Sequence, residues 1–185
     1  MFRVQSLLRA GVCCAILASI FNVSSAQAGE AQAAVMGPSG LPLPRFVSLK
    51  SNRINLRVGP GRDYAVQWLY LKPGLPVEIV QEYDNWRRIR DSEGTEGWVL
   101  QTLLSGKRGG IAAPWGKDVS ADPISLFDAA DDKSVVTARL ESGVLGKVTA
   151  CDGSWCKFES SGHDGFVRQT DIWGAYPGEV FDNLD

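Results

Sequence analysis

The 185-residue chain predicts an all-β protein, built as two tandem small barrels of about five short strands each behind an export leader. Three observations carry this. Short apolar runs with a two-residue period alternate with Gly, Pro, Asn and Asp turns, the pattern of half-buried strands. Within Ile54–Leu100 no window of twelve residues shows a 3.6-residue apolar period. Landmarks of residues 54–100 also recur about 70 positions later, the sign of an internal repeat.

Met1–Ala28 has the layout of a signal peptide. Arg3 and Arg9 form a basic start, Gly11–Val23 is an apolar run, and Ala26-Gln27-Ala28 offers a small-x-small cleavage site. The run is 13 residues long, too short to span about 30 Å of hydrocarbon. No transmembrane anchor is expected in the mature chain, and Cys13 and Cys14 should leave with the leader. Periplasmic location or secretion follows as an expectation. Residues 29–44 are small, nearly uncharged and Pro/Gly-containing, and read as a flexible linker.

The first unit, residues 45–105, unfolds as a series of strands and turns. Ile54–Val58 alternates apolar and polar residues, and Gly59-Pro60-Gly61 ends it, because proline fixes φ and glycine allows it to turn positive. Val66–Leu71 is the second strand. Lys72-Pro73-Gly74 has the proline and glycine of a type II turn. Val77–Tyr83 is the third strand, Asp84-Asn85 a tight hairpin, Trp86–Arg90 the fourth, and Gly97–Leu100 the fifth after a turn at Ser92–Glu96. Trp86 and Trp98 are large enough to fill or rim so small a core.

Leu56-Arg57-Val58-Gly59-Pro60-Gly61, Pro73-Gly74, Asn85-Trp86 and Glu96-Gly97-Trp98-Val99 together resemble the bacterial SH3 (SH3b) domain pattern. Four motifs occur in order over about 50 residues, a match specific for a fold, which does not by itself set a function. Arg45–Arg108, with the ending Trp173-Gly174-Ala175-Tyr176-Pro177-Gly178-Glu179, resembles exported two-repeat SH3-like proteins of Gram-negative bacteria.

Residues 106–116 read as a linker, 117–177 as a diverged second copy, and 178–185 as a tail. Leu56 aligns with Leu126, Asn85-Trp86 with Ser154-Trp155 and Gly97-Trp98-Val99 with Gly165-Phe166-Val167, at offsets of 70, 69 and 68. Ile124–Phe127, Val135–Leu140, Gly146–Cys151, Trp155–Glu159 and Gly165–Arg168 are its strands. Asp128-Ala129-Ala130-Asp131-Asp132 stands where the first copy has its Gly-Pro-Gly loop.

Cys151 and Cys156 flank the Asp152-Gly153 hairpin, where a short cross-strand disulfide fits an exported chain. A redox pair or a metal site is the alternative reading. Four residues separate the cysteines, where a thioredoxin-type motif has two, and zinc would need two further ligands in a chain whose single histidine is His163. No metal or cofactor is expected.

Charge and missing motifs bound the function. Residues 29–111 carry net +3 and residues 112–185 net −7, so the mature chain is acidic. An acidic whole argues against nucleic acid. Arg87, Arg88 and Arg90 on one strand could face an anionic polymer or be a solvated face. No nucleophile elbow, carboxylate-pair motif or Walker loop is present, and His163 lies in a turn sequence, Ser161-Gly162-His163-Asp164, with no motif-placed partner. The chain reads as not an enzyme. The resemblance implies a binding module for cell-wall peptide or glycan. A protein-interaction or scaffold module, in the envelope or secreted, is the alternative. A candidate groove would use Arg57, Pro60, Tyr64, Trp68, Tyr83, Trp86 and Trp98, since aromatic and arginine side chains give much contact energy at low entropic cost.

Overall fold

The structure is a computed structural model, and it describes residues 35–113 and 122–182. The leader reading therefore lies outside the described residues. Two larger antiparallel sheets, the first of seven strands and the second of eight, each curled on itself, follow one another along the chain.

The first contains β3 (Arg45–Leu49), β4 (Ile54–Arg57), β5 (Val66–Tyr70), β6 (Pro76–Tyr83), β7 (Trp86–Arg90), β8 (Glu96–Leu100) and β9 (Leu104–Ser105). Ahead of it, β1 (Val35–Met36) and β2 (Pro42–Leu43) pair as a small hairpin. Its strand order is β5-β4-β8-β7-β6-β3-β9. The second contains β10 (Gly109–Ala112), β11 (Ile124–Phe127), β12 (Val136–Leu140), β13 (Leu145–Asp152), β14 (Trp155–Ser160), β15 (His163–Arg168) and β16 (Ile172–Trp173), with β17 (Val180–Asp182) added on β13. Its order, β12-β11-β15-β14-β13-β10-β16, repeats the first strand for strand.

The turns behave as their residues require. Gly74 and Gly143 each take positive φ at the same turn of the two repeats. Asp84 and the Ser161-Gly162 pair also turn with positive φ at hairpin tips.

Three segments differ from the sequence reading. Residues 35–43, part of the expected flexible linker, form the β1–β2 hairpin, because Ser39 donates from its backbone N (2.8 Å) and hydroxyl (2.7 Å) to the buried Glu82 carboxylate. Gly109–Ala112, inside the expected second linker, is the buried strand β10, equivalent to β3. Val180–Asp182, in the expected tail, is β17, which pairs with Ala150–Asp152. Each segment is short and glycine-rich or weakly patterned, so its strand character comes from the sheet edge that receives it.

Each barrel has its own core. Leu49, Ile54, Leu56, Ile79, Ile89 and Val99 fill the first. Leu126, Val148, Phe158, Val167 and Ile172, with the cystine, fill the second. Phe158 occupies the position of Ile89, and the space it needs comes from two glycines. Val77 and Val47 of the first repeat become Gly146 and Gly110, whose added Cβ atoms would lie 2.4 Å and 2.7 Å from the nearest side-chain atoms, with the Phe158 ring 2.9 Å from the second. Core volume is thus conserved while its distribution changes.

The repeats join through a packed seam. The Phe46 ring meets Trp173 edge-on at 5.0 Å and Tyr176 at 4.6 Å. The Tyr176 hydroxyl donates to the buried Glu78 carboxylate (2.6 Å), and the Gly109 N–H donates to the Ser48 hydroxyl (2.7 Å). Burial pushes the Tyr176 pKa up, and Glu78 adds to the shift. A Cβ on Gly109 would lie 2.1 Å from the Gly74 carbonyl oxygen. Arg108 lies 4.6 Å from the Phe181 ring and pairs with Glu179. The Trp173–Glu179 ending, singled out in the sequence, is part of this seam.

Candidate functional site

The candidate groove begins where β4 ends. The Gly59-Pro60-Gly61 turn sends the chain outward, and Tyr64 folds back over it. A Cβ on Gly59 would lie 2.4 Å from the Tyr64 ring, so glycine is what lets the ring lie down there. Arg57 braces the loop by donating to the Tyr64 carbonyl (2.6 Å), and Val58 N–H donates to Ala65 O (3.1 Å). Trp98 of β8 stands directly across from Arg57 and, on its other side, from Arg88. Opposed residues of antiparallel strands share a face, so Arg57, Arg88 and Trp98 form one patch. Tyr83 stacks edge-on against Trp98, with centroids 6.5 Å apart and planes at 81°.

Five of the seven candidate residues therefore gather: Arg57, Pro60 and Tyr64 from the loop side, Tyr83 and Trp98 from the hairpin side. Tyr64 and Tyr83 are exposed, and Trp98 is half-buried. Trp86 is buried, at the start of β7 and opposite Tyr83 and Leu100 in register. Trp68 is exposed but lines a different cleft, of about 360 Å³, with Tyr70, Asp91 and residues of the second repeat. The sequence could not separate these, because Trp68 sits on the edge strand β5, whose outer neighbour only the folded barrel reveals.

The three arginines of β7 do not make a cationic stripe. Arg87 turns to the buried Glu82 (3.3 Å), Arg88 pairs with Glu96 (2.8 Å), and Arg90 pairs with Glu78. Glu82 also accepts from Arg45 (2.7 Å) and Ser39. Its burial alone would raise its pKa; the hydrogen bonds from Ser39 and Arg45 outweigh this and hold it at about 2.

In the second repeat the same place is filled from within. Phe127 and Phe166 stand where Arg57 and Trp98 stand, directly opposed in register. Arg168 replaces Leu100, and its guanidinium lies 4.3 Å over the Trp155 ring, held by Asp132 of the acidic loop that replaces Gly-Pro-Gly. Phe127 meets Trp155 edge-on at 5.4 Å. Cys151 and Cys156 form a disulfide between directly opposed residues of β13 and β14.

Among the described residues no three of His, Cys, Asp and Glu converge to hold a metal ion. His163 opens β15, exposed, with no side-chain hydrogen bond among those residues. No helix among them is long and apolar enough to cross a membrane. Sequence reading missed one feature altogether: a cleft of about 610 Å³ whose walls come from both repeats. No local motif signals it.

The bacterial SH3 domain pattern matches residues 50–106 and 120–174, more than half of the chain, so the chain belongs to the bacterial SH3 domain family. A curated relative is YrvJ of Bacillus subtilis (strain 168), provisionally named an N-acetylmuramoyl-L-alanine amidase, 22% identical over 141 residues. That alignment covers 74% of this chain and 27% of YrvJ. Solved structures with likeness include NlpC2 from Trichomonas vaginalis (7% identity, TM-score 0.32, 72% of this chain and 49% of that one). An NlpC/P60 family protein from Bacillus cereus ATCC 10987 is 10% identical, with a TM-score of 0.30, over 72% of this chain and 57% of its own. The chain thus spans about a quarter of the curated relative and about half of these structures.

Proposed function

We propose that this member of the bacterial SH3 domain family is a non-catalytic, exported binding module that recognises peptidoglycan through its first repeat. The observation that carries the reading is the pairing of exposed Tyr83 with half-buried Trp98, with Arg57 and Tyr64 beside them, against a second repeat in which Phe127 and Phe166 stand in place of Arg57 and Trp98. Flat aromatic faces next to guanidinium groups suit sugar rings and peptide planes alike. YrvJ is named for cleavage at N-acetylmuramoyl-L-alanine, a cell-wall linkage, and shares the portion that this chain spans. The leader pattern of residues 1–28 supports export.

The test is sedimentation of the purified protein with sacculi at low and high salt. Binding that survives salt and falls about tenfold in Trp98→Ala supports the aromatic face. Phe166→Ala should leave it unchanged. Absence of sedimentation at both salts overturns the reading and favours a protein partner in the envelope.

A further inference from the structure

We propose a second binding site, in the cleft between the repeats, for a small ligand with an anionic carboxylate head and an apolar body. This cleft has a volume of about 610 Å³, which lies within the usual range of about 300–1,000 Å³ for small-ligand sites. Such sites favour boundaries between folded units, and this one is walled by β3 and the Pro73-Gly74 turn on one side and by β13 on the other.

Its chemistry selects the ligand. Pro73 and Leu145 supply apolar wall. Lys50, Lys107, Arg108 and Lys147 line it against a single carboxylate, Glu159. Arg108 is engaged by Glu179, Lys107 is engaged as well, and Lys147 stands opposite Glu159 in register, which leaves Lys50 as the surplus cation. The balance is still positive, in a chain that is acidic as a whole. Thr149, which also lines the cleft, lies at a β-bulge of β13, and its buried hydroxyl has no partner among the described residues. A bulge re-aims the side chain it carries. Anionic charge answers the lysines, and the cleft is too small for a folded partner. The aromatic face of the first repeat is not part of this cleft, so the two sites can stand or fall separately.

The experiment is an NMR titration of the full chain with N-acetyl-leucine and with its uncharged analogue N-acetyl-leucinamide. The acid should shift amides lining the cleft, such as Gly74 and Thr149, and the amide should not. Lys50 and Lys147 are exposed, so Lys50→Gln with Lys147→Gln should fold normally and weaken acid binding by about tenfold, as should high salt. Sacculus sedimentation by this double variant should be unchanged. Equal shifts with acid and amide, shifts confined to the Tyr83–Trp98 face, affinity unchanged in the double variant, or no shift at all would each overturn the proposal.

Discussion

The two repeats solve the same problem differently at one pair of positions. In the first, Glu82 and Arg87 oppose each other across β6 and β7, buried and ion-paired. In the second, Cys151 and Cys156 hold the same places across β13 and β14 and are covalently joined. The difference lies in what covers the outer edge of the long strand. Over β6 comes the β1–β2 hairpin, whose Ser39, together with Arg45 of β3, supplies the polar partners that a buried carboxylate needs. Over β13 comes β17, whose Phe181 opposes Cys151 and offers none. A charge is tolerable at the first site and a cystine fits the second.

The largest expected effect comes from removing the carboxylate. Glu82→Ala leaves Arg45 and Arg87 buried without it and should cost about 3–5 kcal/mol in urea unfolding. The same pair makes the first repeat acid-sensitive. Glu82 sits at about 2 when folded against an ordinary 4.5. A depressed carboxylate contributes stability that is full above its unfolded value and is lost as pH falls through the folded one. About 3 kcal/mol should disappear in that window. Glu82→Gln should flatten this part of the acid-denaturation curve, while disulfide reduction should not.

The exchange of core volume gives the next effect. Gly146→Val drives a side chain into Phe158 and should destabilise by about 1–3 kcal/mol. Adding Phe158→Ile should recover much of that loss, since the pair then matches Val77 and Ile89. A double variant no better than the single would break the proposed equivalence. Third, reducing Cys151–Cys156 should cost about 2 kcal/mol on the loop-entropy account and lower the melting temperature of the second repeat. The smallest effect sharpens the functional contrast. Arg168→Ala uncovers Trp155 at a cost of about 0.5–1 kcal/mol, and quenching of tryptophan fluorescence by acrylamide should rise.

Much of this architecture was legible locally. Strands β4 to β8 and β11 to β15 follow from two-residue periodicity and turn residues, and they lie within a residue or two of the expected bounds. The disulfide followed from two cysteines flanking a hairpin. The candidate site was only partly legible. Arg57, Pro60, Tyr64, Tyr83 and Trp98 gather because they border one loop and one hairpin, which adjacency in sequence already suggests. Trp68 and Trp86 have the same composition signal, but the barrel sends one to another cleft and buries the other.

By itself, then, the sequence determined the strands, their turns, the repeat and the cystine, because each depends on side chains a few residues apart. Tertiary structure decided the rest. Glycine-rich Gly109–Ala112 became a strand because β13 and β16 flank it. The three arginines of β7 found three different carboxylates, two of them on the adjacent β6 and one on β8. The seam and the cleft arose where residues some 60 to 100 positions apart meet, as Ser48 meets Gly109 and Glu78 meets Tyr176. Periodicity reports which face of a strand is apolar, and it carries no information about which other strand that face will meet.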